Sequence, residues 1–232
     1  MNKENLQKSN SEELAKWNDE MVSKYHKDGT LFESKNPILR AIEKMRLKKI
    51  IKSGKFRKED TILDLGCGEG FLISMLPEVK NIMGVDISKV ALERAKKLLK
   101  NKRNVQIQLG DAQNLEFKNE SFDKIVCSEV LEHLPNPVNV IKEMNRLVKK
   151  DGLAIISVPD EKRLKIIMKI IKTLFLDKIL HAARKEEDYE WHLHNADKNF
   201  IYEICKDFFE VKKIYRTPPF FGYRFVTVLK KI

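Results

Sequence analysis

The segment TILDLGCGEG, residues 61–70, restricts the fold of this chain more than any other. An apolar, β-branched run reaches Asp64 and then breaks into Gly66, Gly68 and Gly70, spaced two apart. A buried strand that stops at a carboxylate and turns through glycine is the first half of a strand–turn–helix unit. Glycine lets the main chain turn tightly and come close to a ligand, and the helix start behind it offers free N–H groups. Further apolar runs follow: NIMGVD (81–86), NVQIQLGD (104–111), FDKIVCS (122–128) and LAIISVP (153–159). Amphipathic stretches alternate with them. A short helix is expected at 70–76, helped to end by Pro77. Ser88 caps a second, with Val90, Ala91, Ala95, Leu98 and Leu99 as its apolar face. Pro137 opens a third, carrying Val140, Ile141, Met144, Leu147 and Val148 and closed by Asp151-Gly152. Strand–helix alternation of this kind implies an α/β fold, a parallel sheet covered on both faces. NADKNFIYEICKDFF (195–209) reads as the last helix. FEVKKIY and YRFVTVL then read as a closing antiparallel pair around the Pro218–Gly222 turn. Residues 11–54 read as two helices, the second beginning at Asn36-Pro37.

The chain is read as one domain in four parts. Residues 1–58 form an N-terminal helical cap, 59–159 a ligand-binding core, 160–194 an insertion, and 195–232 a C-terminal helix and strand pair. Its 232 residues, 42% of them hydrophobic, suffice for a real core. The three cysteines cannot pair evenly and show no C-x-x-C spacing, which excludes a disulfide scaffold and a cysteine zinc ribbon. The polar start MNKENLQKSNSEELAKW has no apolar signal core, and no run of 18 apolar residues exists, so a cytoplasmic location is expected. The net charge of +11 is concentrated in two places: residues 1–60 carry +5 and residues 161–185 carry +6, while the stretches between and after are balanced.

Asp86 ends the second strand, twenty residues beyond Gly66, where a carboxylate is placed to accept both hydroxyls of a ribose. Asp111 ends the third. Three carboxylates at the carboxyl ends of adjacent strands occupy the position where open α/β sheets bind ligands.

The pieces ILDLGCGEG (62–70), GVDIS (84–88), GDAQNL (110–115), FDKIVCSEVLEHLPNP (122–137) and LVKKDGLAIISVP (147–159) resemble the class I S-adenosylmethionine-dependent methyltransferases in order and spacing. The resemblance implies a Rossmann-like, doubly wound sheet of seven mostly parallel strands, order 3-2-1-4-5-7-6, with strand seven antiparallel. It implies S-adenosylmethionine as cofactor. Asp64, Gly66, Gly68 and Gly70 would hold its methionine end, Asp86 with Ile87 the ribose, Asp111 and Ala112 the adenine, and Ser128 would lie beside it. Two other readings stay open. One is a nicotinamide-dependent dehydrogenase, since Tyr202 and Lys206 have a Tyr-x-x-x-Lys spacing; against it, the loop is G-x-G-x-G rather than G-x-G-x-x-G. The other is a non-catalytic cofactor-binding module.

After strand four, Glu129, Glu132 and His133 stand at helical spacing and can converge; His192 and His194 follow downstream. Together they could hold a divalent cation. The pattern resembles both the small-RNA 3′-terminal 2′-O-methyltransferases, which bind a metal there, and the quinone-biosynthesis O-methyltransferases. The expectation is a metal-free site with His133, tuned by Glu132, taking the acceptor's proton. His26 and His181 have no such context and are read as surface residues. The acceptor is expected to be a small or lipid-like molecule, methylated on oxygen. RNA is the alternative, while DNA is disfavoured because Ser128-Glu129-Val130-Leu131 stands where DNA amino-methylases carry Asn/Asp-Pro-Pro-aromatic. Residues 162–181 read as a basic amphipathic helix, with Lys165, Lys169 and Lys172 away from Ile166, Ile167, Ile170, Ile171, Leu174 and Phe175. That helix could cover substrate or rest on an anionic membrane, and 160–194 would act as a lid.

Overall fold

The computed structural model describes residues 9–26, 32–34, 36–173 and 191–232. Strands β1 (Thr61–Leu65), β2 (Asn81–Asp86), β3 (Val105–Leu109), β4 (Phe122–Ser128), β5 (Val148–Pro159), β6 (Phe209–Thr217) and β7 (Arg224–Lys231) form one sheet of order 3-2-1-4-5-7-6. β1 to β5 pair in parallel, and β7 runs antiparallel to both β5 and β6. The topology therefore matches what the motif resemblance implies.

Side chains along each central strand alternate between two cores. Leu63, Leu65, Ile125, Cys127, Ala154 and Ile156 pack toward helices α1 (Ser11–Tyr25), α5 (Pro137–Leu147) and α7 (Lys198–Cys205). Ile62, Val126 and Ile155 point the other way, toward α2 (Pro37–Gly54), α3 (Phe71–Met75) and α4 (Lys89–Leu99). Each of these strand residues is fully buried, which at about 25 cal/mol per Å2 makes the two layers the main source of stability. Helix starts follow local chemistry. Asn10 and Glu13 make a reciprocal capping box for α1, Asn36 precedes Pro37 at α2, and Ser88 accepts the Ala91 N–H at α4.

Two boundaries differ from the sequence expectation. α5 ends at Leu147 rather than at Asp151-Gly152, because Val148 already pairs with Phe122. The ladder then skips to Leu153 opposite Lys124, so residues 149–152 bulge out of it. The last helix covers only Lys198–Cys205, capped by Asp197, whose side chain accepts the Phe200 N–H. Helix α6 (Glu161–Thr173) fills the first part of the insertion. Leu164 is its buried anchor, while Ile166 and Ile170 face outward, so the apolar face is not packed inward as a whole. Leu174, Phe175, Leu180 and His181 lie outside the described residues, as do residues 174–190 of the expected lid. All three cysteines are buried and free. Among the described residues no helix is long and apolar enough to cross a membrane.

Candidate active site

The carboxyl ends of β1, β2, β3 and β4 open into a cavity roofed by α1 and α2. It is lined by Asp64, the glycine loop, Asp86, Ile87, Asp111, Ala112, Ser128 and His133, among others. The loop geometry follows from its glycines. Gly66 has φ +69°, and a Cβ there would come within 2.2 Å of Val130. Gly68 has φ +51° with open space where a Cβ would be, so its backbone faces the cavity bare.

The three carboxylates differ in their partners. Gly68 and Ser88 N–H groups donate to Asp86 at 2.7 and 2.8 Å. Burial nevertheless raises the Asp86 pKa above the ordinary value against those bonds. Asp64 is 2% exposed, and its Oδ2 has no hydrogen-bond partner among the described residues. Burial first, and the Asp86 charge second, push its pKa up to about 8, with Arg46 pulling the other way. A buried carboxyl lacking a donor fits a ligand that brings a cation, as the ammonium of a methionine end does. S-adenosylmethionine therefore fits the residues present. Asp111 is held by its own turn, through the Gln113 N–H at 2.9 Å, and by the Ser11 hydroxyl at 2.6 Å. The thiols of Cys67 and Cys127 are pushed well up by burial and next by neighbouring carboxylates, which leaves them inert.

A second wall is built from residues distant in sequence. Glu129 follows β4 in the left-handed region at φ +58°, a strained setting for a side chain other than glycine. Ser157 donates to it at 2.9 Å and Arg224 at 2.7 Å. Arg224 also pairs with Glu43 at 2.6 Å, Glu43 with Arg46 at 3.1 Å, and Arg46 reaches the Ser128 hydroxyl. Ser128 and Ser157 complete the ring at 2.9 Å. This closed, largely buried circuit ties α2 to the ends of β4, β5 and β7. Burial opposes the Arg224 charge, but Glu43, Tyr223 and Glu129 beside it hold its pKa well above the ordinary value.

At the mouth, the 3-10 turn Leu131–His133 carries Glu132 and His133. Leu193 N–H donates to the Glu132 carbonyl at 2.7 Å, docking residues 191–194 onto that turn. Trp191 lies over His133 at 4.6 Å between ring centres, and its carbonyl bonds His133 Nδ1 at 3.0 Å. Glu132, His133 and His192 can each offer a ligand atom within 4.8 Å of the others. The structure thus brings together three of the five candidate metal ligands and separates two. Glu129 is engaged by Arg224, and His194 bonds the Leu134 carbonyl at 2.8 Å. His26 is not the plain surface residue expected: it lines the cavity and bonds Glu69 at 3.3 Å. Arg46, Glu43, Glu161, Trp191 and Arg224 escaped the sequence reading as well. Glu161, which bonds the buried His192, sits at the start of α6 with no motif around it.

Residues 56–215 match the family model for a methyltransferase domain. The chain belongs to the class I S-adenosylmethionine-dependent methyltransferases. It is 34% identical over 179 residues to an uncharacterised protein of Methanocaldococcus jannaschii, across 77% of this chain and 66% of that one. It is 30% identical over 168 residues to the demethylmenaquinone methyltransferase of Staphylococcus carnosus, across 66% of each. The chain thus spans about two thirds of the length of the curated relatives it matches. The crystal structure of magnesium protoporphyrin IX methyltransferase from Synechocystis PCC 6803, with S-adenosylhomocysteine bound, superposes with a TM-score of 0.68 at 16% identity. It covers 96% of this chain and 100% of that one, and so attests the fold. The dehydrogenase alternative falls with this membership. Tyr202 is half exposed on α7, Lys206 pairs with Glu203 at 2.8 Å, and neither lines the cavity.

Proposed function

We propose that this enzyme transfers a methyl group from S-adenosylmethionine to an oxygen of a small or lipid-like acceptor. The observation that carries the reading is the buried Asp64 carboxyl beside Asp86 in a cavity walled by bare glycine backbone. In this reading Asp64, Gly66, Gly68 and Gly70 bind the methionine end. Asp86 and Ile87 bind the ribose, Asp111 and Ala112 flank the adenine, and Ser128 lies alongside. The bound cofactor supplies a methyl already activated by its sulfonium. The protein's remaining tasks are to align the acceptor and to take one proton. His133 serves as proton acceptor. Its Nδ1 bonds the Trp191 carbonyl, which fixes the plane of the ring, and a Glu132 carboxylate oxygen within 4.8 Å of a ring nitrogen supports the cation that forms. Trp191, His133 and Leu134 give the mouth an apolar, aromatic floor suited to a flat acceptor. The relative named for demethylmenaquinone supports an acceptor of that general class.

The convergence of Glu132, His133 and His192 favours a second reading, in which the three hold a divalent ion that grips vicinal hydroxyls of an RNA 3′ end.

Calorimetric titration with S-adenosylhomocysteine tests the main reading. Binding in the micromolar range is expected, and Asp86→Ala should weaken it by about 1.5–3 kcal/mol, roughly 10–150-fold, because charge-assisted hydrogen bonds are lost. Failure to bind would end the proposal. Turnover that needs RNA and stops on adding a chelator would install the second reading.

A further inference from the structure

Away from the cavity, the described surface carries one apolar prominence that its own packing leaves bare. At the β6–β7 turn Phe220 is 90% exposed and Phe221 63% exposed. The turn is stiffened by Pro218 and Pro219. Gly222 N–H closes it on the Pro218 carbonyl at 2.7 Å, and Asp160 N–H ties Tyr223 to the end of β5 at 2.6 Å. Two adjacent phenylalanines on a rigid tip are not the scattered exposed residues that every surface has. Beside them runs α6. Arg163 Nη1 reaches the Gly222 carbonyl at 3.5 Å, and Arg216 pairs with Asp160 at 3.0 Å. Arg163, Ile166 and Ile170 recur at three- and four-residue steps, so they share the helix face that begins at this turn. Ile166 is 59% and Ile170 52% exposed, with exposed Lys165 and Lys169 flanking them. Residues 162–173 hold five basic side chains and no acidic one.

We propose that this surface seats the enzyme on an anionic lipid bilayer. Phe220 and Phe221 enter the boundary between headgroups and acyl chains, Ile166 and Ile170 lie against it, and Arg163, Lys165 and Lys169 face lipid phosphates. Charge selects this occupant. A second copy meeting the patch through a two-fold axis would set the same basic side chains against one another. A bilayer with anionic lipid presents negative potential and an apolar interior together. Position agrees. β7 begins at Arg224 opposite Pro159, so the turn lies at the carboxyl ends of the parallel strands, the same end as the cavity. Arg224, next to the turn, bonds Glu129 on the cavity wall. Docking would therefore present the cavity mouth toward the membrane, from which a lipid-like acceptor can be drawn. That last step rests on the acceptor proposed above, whereas vesicle binding does not.

Cosedimentation of the full chain with phosphatidylcholine vesicles, with and without phosphatidylglycerol, tests the proposal. Binding is expected only with phosphatidylglycerol and should weaken as salt is raised. Lys165→Gln with Lys169→Gln should lower the partition coefficient about fivefold per residue. Phe220→Ser with Phe221→Ser should lower it at least about tenfold. Titration with S-adenosylhomocysteine, unchanged in all variants, would show intact cavities and separate this test from that of the methyltransferase reading. No binding to either vesicle overturns the proposal, as does binding that the phenylalanine variant leaves intact. A concentration-dependent dimer in sedimentation velocity that the phenylalanine variant abolishes, in the absence of vesicle binding, assigns the patch to self-association.

Discussion

The two walls of the cavity are stabilised in opposite ways. The glycine-loop wall crowds Asp64 and Asp86 together in a buried place, where, among the described residues, main-chain N–H groups donate to Asp86 and nothing donates to Asp64 Oδ2. The opposite wall pairs its charges fully, Glu43 with Arg46 and Arg224, and Arg224 with Glu129. A buried carboxyl that keeps its proton for want of a donor suits a surface that a cationic ligand completes. A closed circuit suits a scaffold that must hold α2 and the ends of β4, β5 and β7 in register. The glycine-loop wall is therefore the one that costs stability without a ligand, and the wall of paired charges is the one that adds rigidity.

The largest expected effect lies at the mouth, where neither wall alone should matter. His133→Gln should lower kcat by roughly 10²–10⁴-fold, the usual weight of a general base. S-adenosylhomocysteine affinity should stay unchanged. A proportional fall in cofactor binding would mean that His133 only shapes the pocket. Next, Arg224→Met should destabilise the fold by about 3–5 kcal/mol, because Glu43 and Glu129 lose a buried partner. Urea unfolding measures it, and a loss under 1 kcal/mol would show that the circuit is dispensable.

The smallest effect has the opposite sign and sharpens the contrast. Asp64 keeps its proton in the folded, ligand-free protein up to about pH 8, whereas its ordinary value is 3.8. Its contribution to stability is therefore fully present below pH 3.8 and is lost as pH rises through about 8. Asp64→Asn should remove that slope and raise the melting temperature of the ligand-free protein by a few degrees at pH 8–9, while weakening cofactor binding. Differential scanning calorimetry across pH 5–9 decides it. Equal slopes for both proteins would show that Asp64 is ionised and already neutralised in the empty site.

The order of the sheet and the residues of the glycine-loop wall were legible along the chain. Apolar residues dominate β1 and the second half of β5, while β3 alternates them with glutamine. Asp64, Asp86 and Asp111 stand at strand ends, and Gly66 and Gly68 mark backbone that a side chain would block, so spacing along the chain carries the geometry. Of the neighbouring cluster only Glu132 and His133 follow from local spacing, since Glu129 sits outside the turn at φ +58°. Tertiary structure alone decided the rest. Arg46 and Glu43 on α2 read as two more charges on a basic helix until β7 brings Arg224 to them. Glu161 and His192 lie 31 positions apart and meet only because residues 191–194 dock on the Glu132 carbonyl. His26 looked like surface until α1 folded over the cavity. It is also the fold that divided the five candidate metal ligands, turning Glu129 toward Arg224 and His194 toward Leu134. The reason is common to all of these. Backbone periodicity fixes neighbours three or four residues apart, but partners across a sheet are chosen by the register of other strands, and no local pattern encodes that.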